Sequence, residues 1–338
     1  MLSTMTAPRL SPPLTPPSLE AAMKVGILAN PKHARTMRAY ARLVEILNRD
    51  RITYRSATTT QHWPGTEQTS RLLDWGAELI VVLGGDGTLR VCAPVLAAAQ
   101  MPVLIIPTGT ANVLARHLGI RSTASALGLA EAHLGSQPVL SCDVPVNEAD
   151  CFTATGPRRE HFVSLAGVGG DARAISGRTQ LPAALRLGIL GYAYGASQAL
   201  FAPLLKARLD DPHVASPQFD GTTGTEVWSV MASKTARPAG PIPVFAHAEV
   251  GAGEFEFLAV ELRTTQAGGR LCEWAQIGWD CANRRPTAHS SMHYWRGTEL
   301  SISVEAPAPV QLDGDLIGDC RRLDLRAGTT ALTVLTPN

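Results

Sequence analysis

The run Leu79-Ile80-Val81-Val82-Leu83 constrains this chain more than any other segment. Five consecutive apolar residues leave no polar face, so they suit a strand covered on both sides. Directly behind it come Gly84-Gly85-Asp86-Gly87-Thr88 and then a helical stretch over residues 88–99. A strand running through a glycine turn into a helix is the first half of a βαβ unit. Its neighbours repeat the theme. Strands are expected at 24–28, 52–56 and 103–106, with helices at 35–48, 67–75 and from 111 to 118. Such alternation predicts an α/β domain with a parallel sheet and helices on both faces.

Beyond residue 140 the period changes to two. Segments 161–165, 226–232, 254–262, 299–305 and 330–335 tend to alternate apolar with polar residues, plainly so in Leu300-Ser301-Ile302-Ser303-Val304. Gly and Pro clusters separate them, which predicts an all-β sandwich as the C-terminal domain. The apolar stretch 181–205 reads as a helical insertion. Arg186 and Gln198 interrupt it, so no transmembrane span is expected. Residues 1–22, with five prolines and no apolar h-region, read as a disordered leader, and Met23 is an alternative start. The 338 residues thus divide into the leader, an α/β domain at 23–140 and a β domain at 141–319.

Charge excludes some partners. With 30 Lys and Arg against 29 Asp and Glu the net charge is +1, and no basic face for nucleic acid is expected. Six cysteines without a Cys-x-x-Cys pair argue against a disulfide framework or zinc knuckle, as expected of a cytoplasmic protein.

In an open parallel sheet, ligands bind beyond the carboxyl ends of the strands. Glycines there let backbone N–H groups approach an anion, and the following helix adds its N-terminal dipole. Gly84–Thr88 suits a phosphate chain in this way. Asp86 within it points to metal-assisted transfer, because a bare carboxylate repels phosphate; the alternative is a tight turn with Asp86 as helix cap. The next strand ends in Pro107-Thr108-Gly109-Thr110-Ala111-Asn112 and the first in Ala29-Asn30-Pro31, so three successive loops carry small or hydrogen-bonding residues. The Walker P-loop is absent from the sequence, and the Gly-x-Gly-x-x-Gly fingerprint from its first βα turn.

These motifs, with Leu114-Ala115-Arg116, Gly167-Val168-Gly169-Gly170-Asp171-Ala172 and Gln311-Leu312-Asp313-Gly314-Asp315, resemble the bacterial diacylglycerol kinase family. That family is related to sphingosine and ceramide kinases and, more distantly, to NAD kinase and phosphofructokinase. The resemblance implies an ATP- and Mg²⁺-dependent lipid kinase acting on a diacylglycerol-like or sphingoid hydroxyl. It also implies that the last segment, about 320–338, returns to the first domain. ATP is then expected on Gly84, Gly85, Asp86, Gly87, Thr88, Gly109, Thr110 and Asn112, with Asn30, Arg35 and Thr59 beside it. Asp315 is the implied proton acceptor, and Asp313 and Asp86 complete an acidic cluster; no metal ligands are assigned. Without the earlier loops, Asp313-Gly314 would read as a hairpin turn.

The sequence departs from the family in four places. Lys32-His33 replaces the small Ser-Gly pair after Asn30-Pro31, Asp315 replaces Glu, and Val113 stands where many relatives have Asp. Gly251-Ala252-Gly253-Glu254 lacks the Asp-Gly associated with a structural Mg²⁺ site. Two alternatives stay open: a soluble NAD-kinase-like enzyme, and a nucleotide-binding regulator without turnover. The expected partner is a lipid at a membrane surface, reached peripherally from the cytoplasm, and a homodimer is left open. His289 and His293, four apart, are weighed as metal ligands on a helix, and Asn147-Glu148 as a β-turn.

Overall fold

The structure is a computed structural model that describes residues 10–11, 23–180, 199–211, 224–238, 240–264 and 266–337. The chain forms two compact units. The first holds residues 1–146 and 329–338, and the second residues 147–328.

In chain order the first unit contains β1 (Leu10–Ser11), β2 (Lys24–Ala29), α1 (Ala34–Arg49), β3 (Thr53–Thr58) and α2 (Thr66–Asp74). It continues with β4 (Leu79–Gly84), α3 (Asp86–Ala98), β5 (Val103–Pro107), α4 (Val113–His117), α5 (Thr123–Leu134) and β6 (Leu140–Pro145). Strands β3, β2, β4 and β5 are parallel neighbours in that order. All six residues of β4 are buried, as its unbroken apolar run requires at the centre of a two-faced sheet. Helix α1 buries Thr36, Ala39, Leu43, Ile46 and Leu47, one stripe at helical spacing. Helix α5 starts at a capping box in which Ser122 and Ser125 bond reciprocally. Within the leader, Leu10 and Ser11 pair antiparallel with Cys142 and Ser141, so these two residues form an edge strand.

The second unit contains β7 (Asn147–Thr153), β8 (Gly156–Phe162), β9 (Leu165–Gly169), α6 (Gly170–Gln180), β10 (Leu205–Asp210) and β11 (Thr225–Val227). Then follow β12 (Ser229–Ser233), β13 (Phe255–Val260), α7 (Ala267–Ala282), β14 (Met292–Gly297), β15 (Glu299–Leu312) and β16 (Asp315–Arg326). Every strand pair is antiparallel, along the path β14-β13-β12-β9-β15-β16-β7-β8, with β10 also on β15 and β11 on β10. The long β15 changes partners midway: residues 301–304 pair with β10 and residues 310–312 with β9. Its register against β16 breaks between Ser303 and Ala308, around Pro307 and Pro309, which donate no ladder bond. The inner faces of both halves share one core in which Phe162 stacks on Phe255 at 5.6 Å and Phe257 meets Trp295 at 5.3 Å. The opposite face of β12–β14 packs Met231, Leu258, Val260 and Met292 against Ile277 and Cys281 of α7.

The final strand, β17 (Ala331–Thr336), returns to the first unit, parallel to β5 and antiparallel to β6. Of the apolar stretch read as a helical insertion, residues 181–198 lie outside the described residues. Its end is corrected, because Leu205 opens β10, where alternate residues are buried. The helical placement of His289 and His293 is likewise overturned. His289 follows a 3₁₀ turn (Pro286–Ala288) and His293 lies in β14, its Nε2 3.0 Å from Glu261. Asn147 opens a strand instead of a β-turn, donating from Nδ2 to the Phe162 carbonyl at 3.1 Å. Among the described residues no helix is long and apolar enough to cross a membrane.

Because β17 is bonded on both sides, a chain ending at Gly328 lacks an interior strand and exposes Val103, Cys142 and Val144. Hydrogen exchange on that truncated chain is expected to show lost protection throughout β4 and β5, and retained protection there would refute this reading of the sheet.

Candidate active site

The carboxyl ends of β2, β3, β4 and β5 are tied together by backbone bonds that continue past the ladders. The Asn30 N–H donates to the Leu83 carbonyl (2.9 Å), Thr59 N–H to Ala29 (2.9 Å), and Thr108 and Gly109 N–H both to Gly84 (2.9 and 3.1 Å). Side chains lock the same loops. Asn30 Nδ2 donates to Thr88 Oγ1 at 3.0 Å, its Oδ1 accepts the Lys32 N–H, and Thr36 Oγ1 donates to Thr108 Oγ1 at 2.9 Å. Thr59 is buried beside them, while Thr110 is exposed.

Glycine is required here for space. A Cβ on Gly109 would lie 2.4 Å from the Cα of Gly85, one on Gly85 3.0 Å from the Cα of Gly109, and one on Gly84 2.7 Å from Thr88. Two bare backbones therefore meet at the start of α3, whose first turn, with Asp86 and Gly87, has no side-chain cap. Asn112 stands opposite in left-handed conformation (φ 46, ψ 52). Its Nδ2 donates to the Gly109 carbonyl at 2.7 Å, and its buried Oδ1 has no protein partner among the described residues. The cradle offers N–H groups and positive dipole to an anion, and one orphaned acceptor to a hydroxyl or amine. This chemistry fits a nucleotide, which carries both.

Asp86 is not the cap of its own helix. Its Oδ1 accepts the Leu114 N–H at 3.3 Å and so caps the neighbouring α4. Burial pushes its carboxyl above the ordinary range, opposed by the Val113 and Leu114 N–H groups and by Arg116. Arg35 lies exposed in the first turn of α1, beside Lys32 and His33, and that turn holds no acid. Burial, then Arg35 and Lys32, pull the His33 pKa down, as expected beside a concentration of positive charge. Lys32, standing where the resemblance implies a small neutral residue, thus adds positive charge beside Arg35 at this turn.

In the second unit, Asp313 (φ 49) and Gly314 (φ 86) are the two central residues of the hairpin turn between β15 and β16. The Asp313 carboxylate accepts three backbone N–H groups, from Val163 (2.8 Å), Ser164 (2.7 Å) and Leu165 (2.9 Å). Those bonds give it the work of holding a turn. Asp315, one residue past the turn, is exposed. Two side chains that the sequence reading left without a role complete the cluster. Gln311 accepts the Gly314 N–H at 2.9 Å and donates to Asp171 at 3.0 Å, and Asp171 also accepts from Ser229 Oγ at 2.6 Å. A Cβ on Gly167 would overlap the Asp171 carboxylate, so that glycine makes its room. Burial raises the Asp171 pKa, opposed by the Ser229 and Gln311 bonds. Both residues lie inside the quoted motifs, and their order in the chain was the available signal.

No cluster of three or more metal-ligating side chains occurs among the described residues. At 251–254 the position of a cation is taken by the chain itself. Buried Lys234 donates from Nζ to the carbonyls of Ala252 (2.8 Å) and Glu254 (2.9 Å), 4.5 Å from the Phe255 ring. This segment does not fit a structural Mg²⁺. A separate cavity of about 410 Å³, lined by His247, Glu256, His293, Tyr294 and Arg296 among others, contains no residue of these motifs.

A buried acid with a raised pKa keeps its proton where the unfolded chain has lost it, so its charge lowers stability as pH rises through that window. Asp86→Asn, which keeps an acceptor for Leu114, is expected to melt above the wild type at pH 7. That gap should close below about pH 4, where the unfolded acid is protonated as well. Melting temperature against pH checks this, and a variant less stable at pH 7 refutes it. Asp313→Asn turns an amide toward the N–H groups it now accepts and is expected to cost about 2 kcal/mol or more in urea unfolding. Asp315→Asn should change stability by less than about 0.5 kcal/mol.

Comparison with known proteins adds a match over part of the chain. Residues 24–139 match the diacylglycerol kinase catalytic domain. A diacylglycerol kinase from Bacillus anthracis str. Sterne shares the fold at 16% identity, covering 94% of this chain and 98% of its own, with a TM-score of 0.58. Yeast NADH kinase complexed with NADH does so at 9% identity, covering 94% and 85%, with a TM-score of 0.56. An uncharacterized protein of Synechocystis sp. (strain ATCC 27184 / PCC 6803 / Kazusa) is 25% identical over 250 residues, 72% of this chain and 51% of the relative. The chain therefore spans about half the length of that curated relative. The family match thus covers residues 24–139, about a third of the 338.

Proposed function

We propose that this protein is an ATP- and Mg²⁺-dependent lipid kinase that phosphorylates a hydroxyl of a diacylglycerol-like or sphingoid lipid. The observation that carries the reading is the approach of Gly85 to Gly109 at the uncapped start of α3, with Asn112 Oδ1 orphaned beside it. In a diacylglycerol kinase catalytic domain that cradle takes the nucleotide phosphates, with Asn30, Thr59, Thr88 and Thr110 around it and Arg35 supplying positive charge. Mg²⁺ would arrive with the phosphates and screen their charge, since it is usually held by one or two carboxylates plus phosphate oxygens and keeps its own waters. Asp86 is the carboxylate on this unit able to meet it.

Asp315 takes the proton of the lipid hydroxyl while its oxygen bonds to the γ-phosphorus and the bond to the ADP oxygen breaks. Asp313 is assigned to holding the turn that carries Asp315, and Gln311 with Asp171 to fixing that turn from the strand side.

Transfer of labelled γ-phosphate from ATP with Mg²⁺ tests the proposal across diacylglycerol, sphingosine, ceramide, phosphatidylglycerol and NAD. Label is expected on a lipid, falling about 100-fold or more in Asp315→Asn, the scale of a lost general base. Asp86→Asn should lose transfer while remaining folded. Label on NAD alone would replace the lipid with a soluble acceptor. Bound ATP without label on any alcohol would identify a regulator.

A further inference from the structure

Helix α7 wears its charges on the wrong side. At 100° per residue, Arg270, Glu273, Ile277 and Cys281 share the face turned into the unit, and the two charged residues are only 7% and 6% exposed. Arg270 donates to the carbonyls of Ala202 (2.9 Å) and Thr264 (3.1 Å), and Glu273 accepts the Arg263 N–H at 3.1 Å and the Ser291 hydroxyl. The outward arc holds Gly268, Leu271, Cys272, Ala275, Trp279 and Ala282, with no charge among them. Leu271 is 56% exposed and Trp279 71%. Phe201, 51% exposed, belongs to the segment whose Ala202 carbonyl holds Arg270. A helix facing water presents the reverse pattern.

The flanks say what covers this face. Arg263 precedes the helix and Arg284 and Arg285 follow it, all exposed and without an ion-pair partner among the described residues. An apolar arc with an outward Trp, bounded at both ends by arginines, complements the interface of an anionic bilayer, where Trp sits at the headgroup level. Sixteen residues span about 24 Å, enough to lie in the plane of that interface and too short to cross it.

We infer that α7 is a membrane-docking helix that seats Leu271 and Trp279 in an anionic lipid surface. The choice of a bilayer as occupant rests on the lipid-kinase reading, whereas docking itself requires no turnover. Flotation with vesicles of phosphatidylcholine, with and without phosphatidylglycerol, tests it in the absence of ATP and diacylglycerol. The full chain is expected to bind the phosphatidylglycerol vesicles. Leu271→Ser/Trp279→Ser and Arg284→Glu/Arg285→Glu should each weaken binding about tenfold or more. Leu271→Ser/Trp279→Ser should leave the melting temperature and phosphotransfer to a short-chain, water-soluble diacylglycerol unchanged. Absence of vesicle binding, or binding indifferent to Leu271 and Trp279, overturns the inference. So does a dimer in sedimentation that these substitutions dissolve, which would make the face a contact between copies. If vesicles bind as expected but the soluble diacylglycerol takes no label, docking stands and the kinase reading falls.

Discussion

Two backbones in contact organise the first unit. The approach of Gly109 to Gly85 tolerates no side chain on either residue, and it brings the loops after β4 and β5 to a separation that only main chain can occupy. The Thr108 and Gly109 N–H groups then share the Gly84 carbonyl, Asn112 must turn left-handed to bond back to Gly109, and α4 begins where Asp86 can cap it. Conformational freedom is not the reason for glycine at these two positions, since neither has a positive φ. What the glycines contribute is exposed peptide dipole in a narrow volume, the property an anion site needs.

Three aspartates show how differently one fold can treat the same group. Asp313 accepts three backbone N–H groups, so its carboxylate is spent on holding a turn. Asp171 is held by one hydroxyl and one amide, and Asp86 by the N–H groups of a neighbouring helix; in both, burial prevails and the acid is pushed up. A carboxylate held above its ordinary range is destabilising as a charge, and such strain is concentrated where chemistry is done. The contrast distinguishes Asp313, committed to a turn, from Asp86, with which the resemblance grouped it, by what holds each carboxylate.

The parallel sheet was legible because β2, β4 and β5 are apolar runs closed by turns of small or polar residues. Gly84-Gly85 could be read for the same reason: a glycine pair at a strand end has few physical explanations. The Asp313-Gly314 pair had two, hairpin and site, and the structure shows a hairpin whose Asp side chain accepts three backbone N–H groups. Helix α5 was missed although Ser122 and Ser125 form a capping box, because its Ala- and Leu-rich body lacks a clear polar face. Helix α7 was missed for a deeper reason. Pattern reading assumes that charges face water, and Arg270 and Glu273 face the protein, so the helix has the wrong amphipathicity and two glycines at its start. That same inversion makes the helix informative once its orientation is known.

Lys234 shows how a departure from family pattern can be absorbed without loss of structure. Where the resemblance implies Asp-Gly and a metal, this chain has Gly253-Glu254, and the carbonyls at 252 and 254 converge on an ammonium supplied from the end of β12. Burial lowers that ammonium's pKa to about 8, with Glu254 opposing the shift, so the charge is costly yet retained at neutral pH. It is tolerated because two carbonyls and the Phe255 face satisfy it. A tethered ammonium cannot exchange with solvent as a divalent ion can, and it gathers fewer ligands. The loop before β13 is therefore organised by the covalent chain, and the only divalent cation the proposed chemistry requires is the one that accompanies the nucleotide.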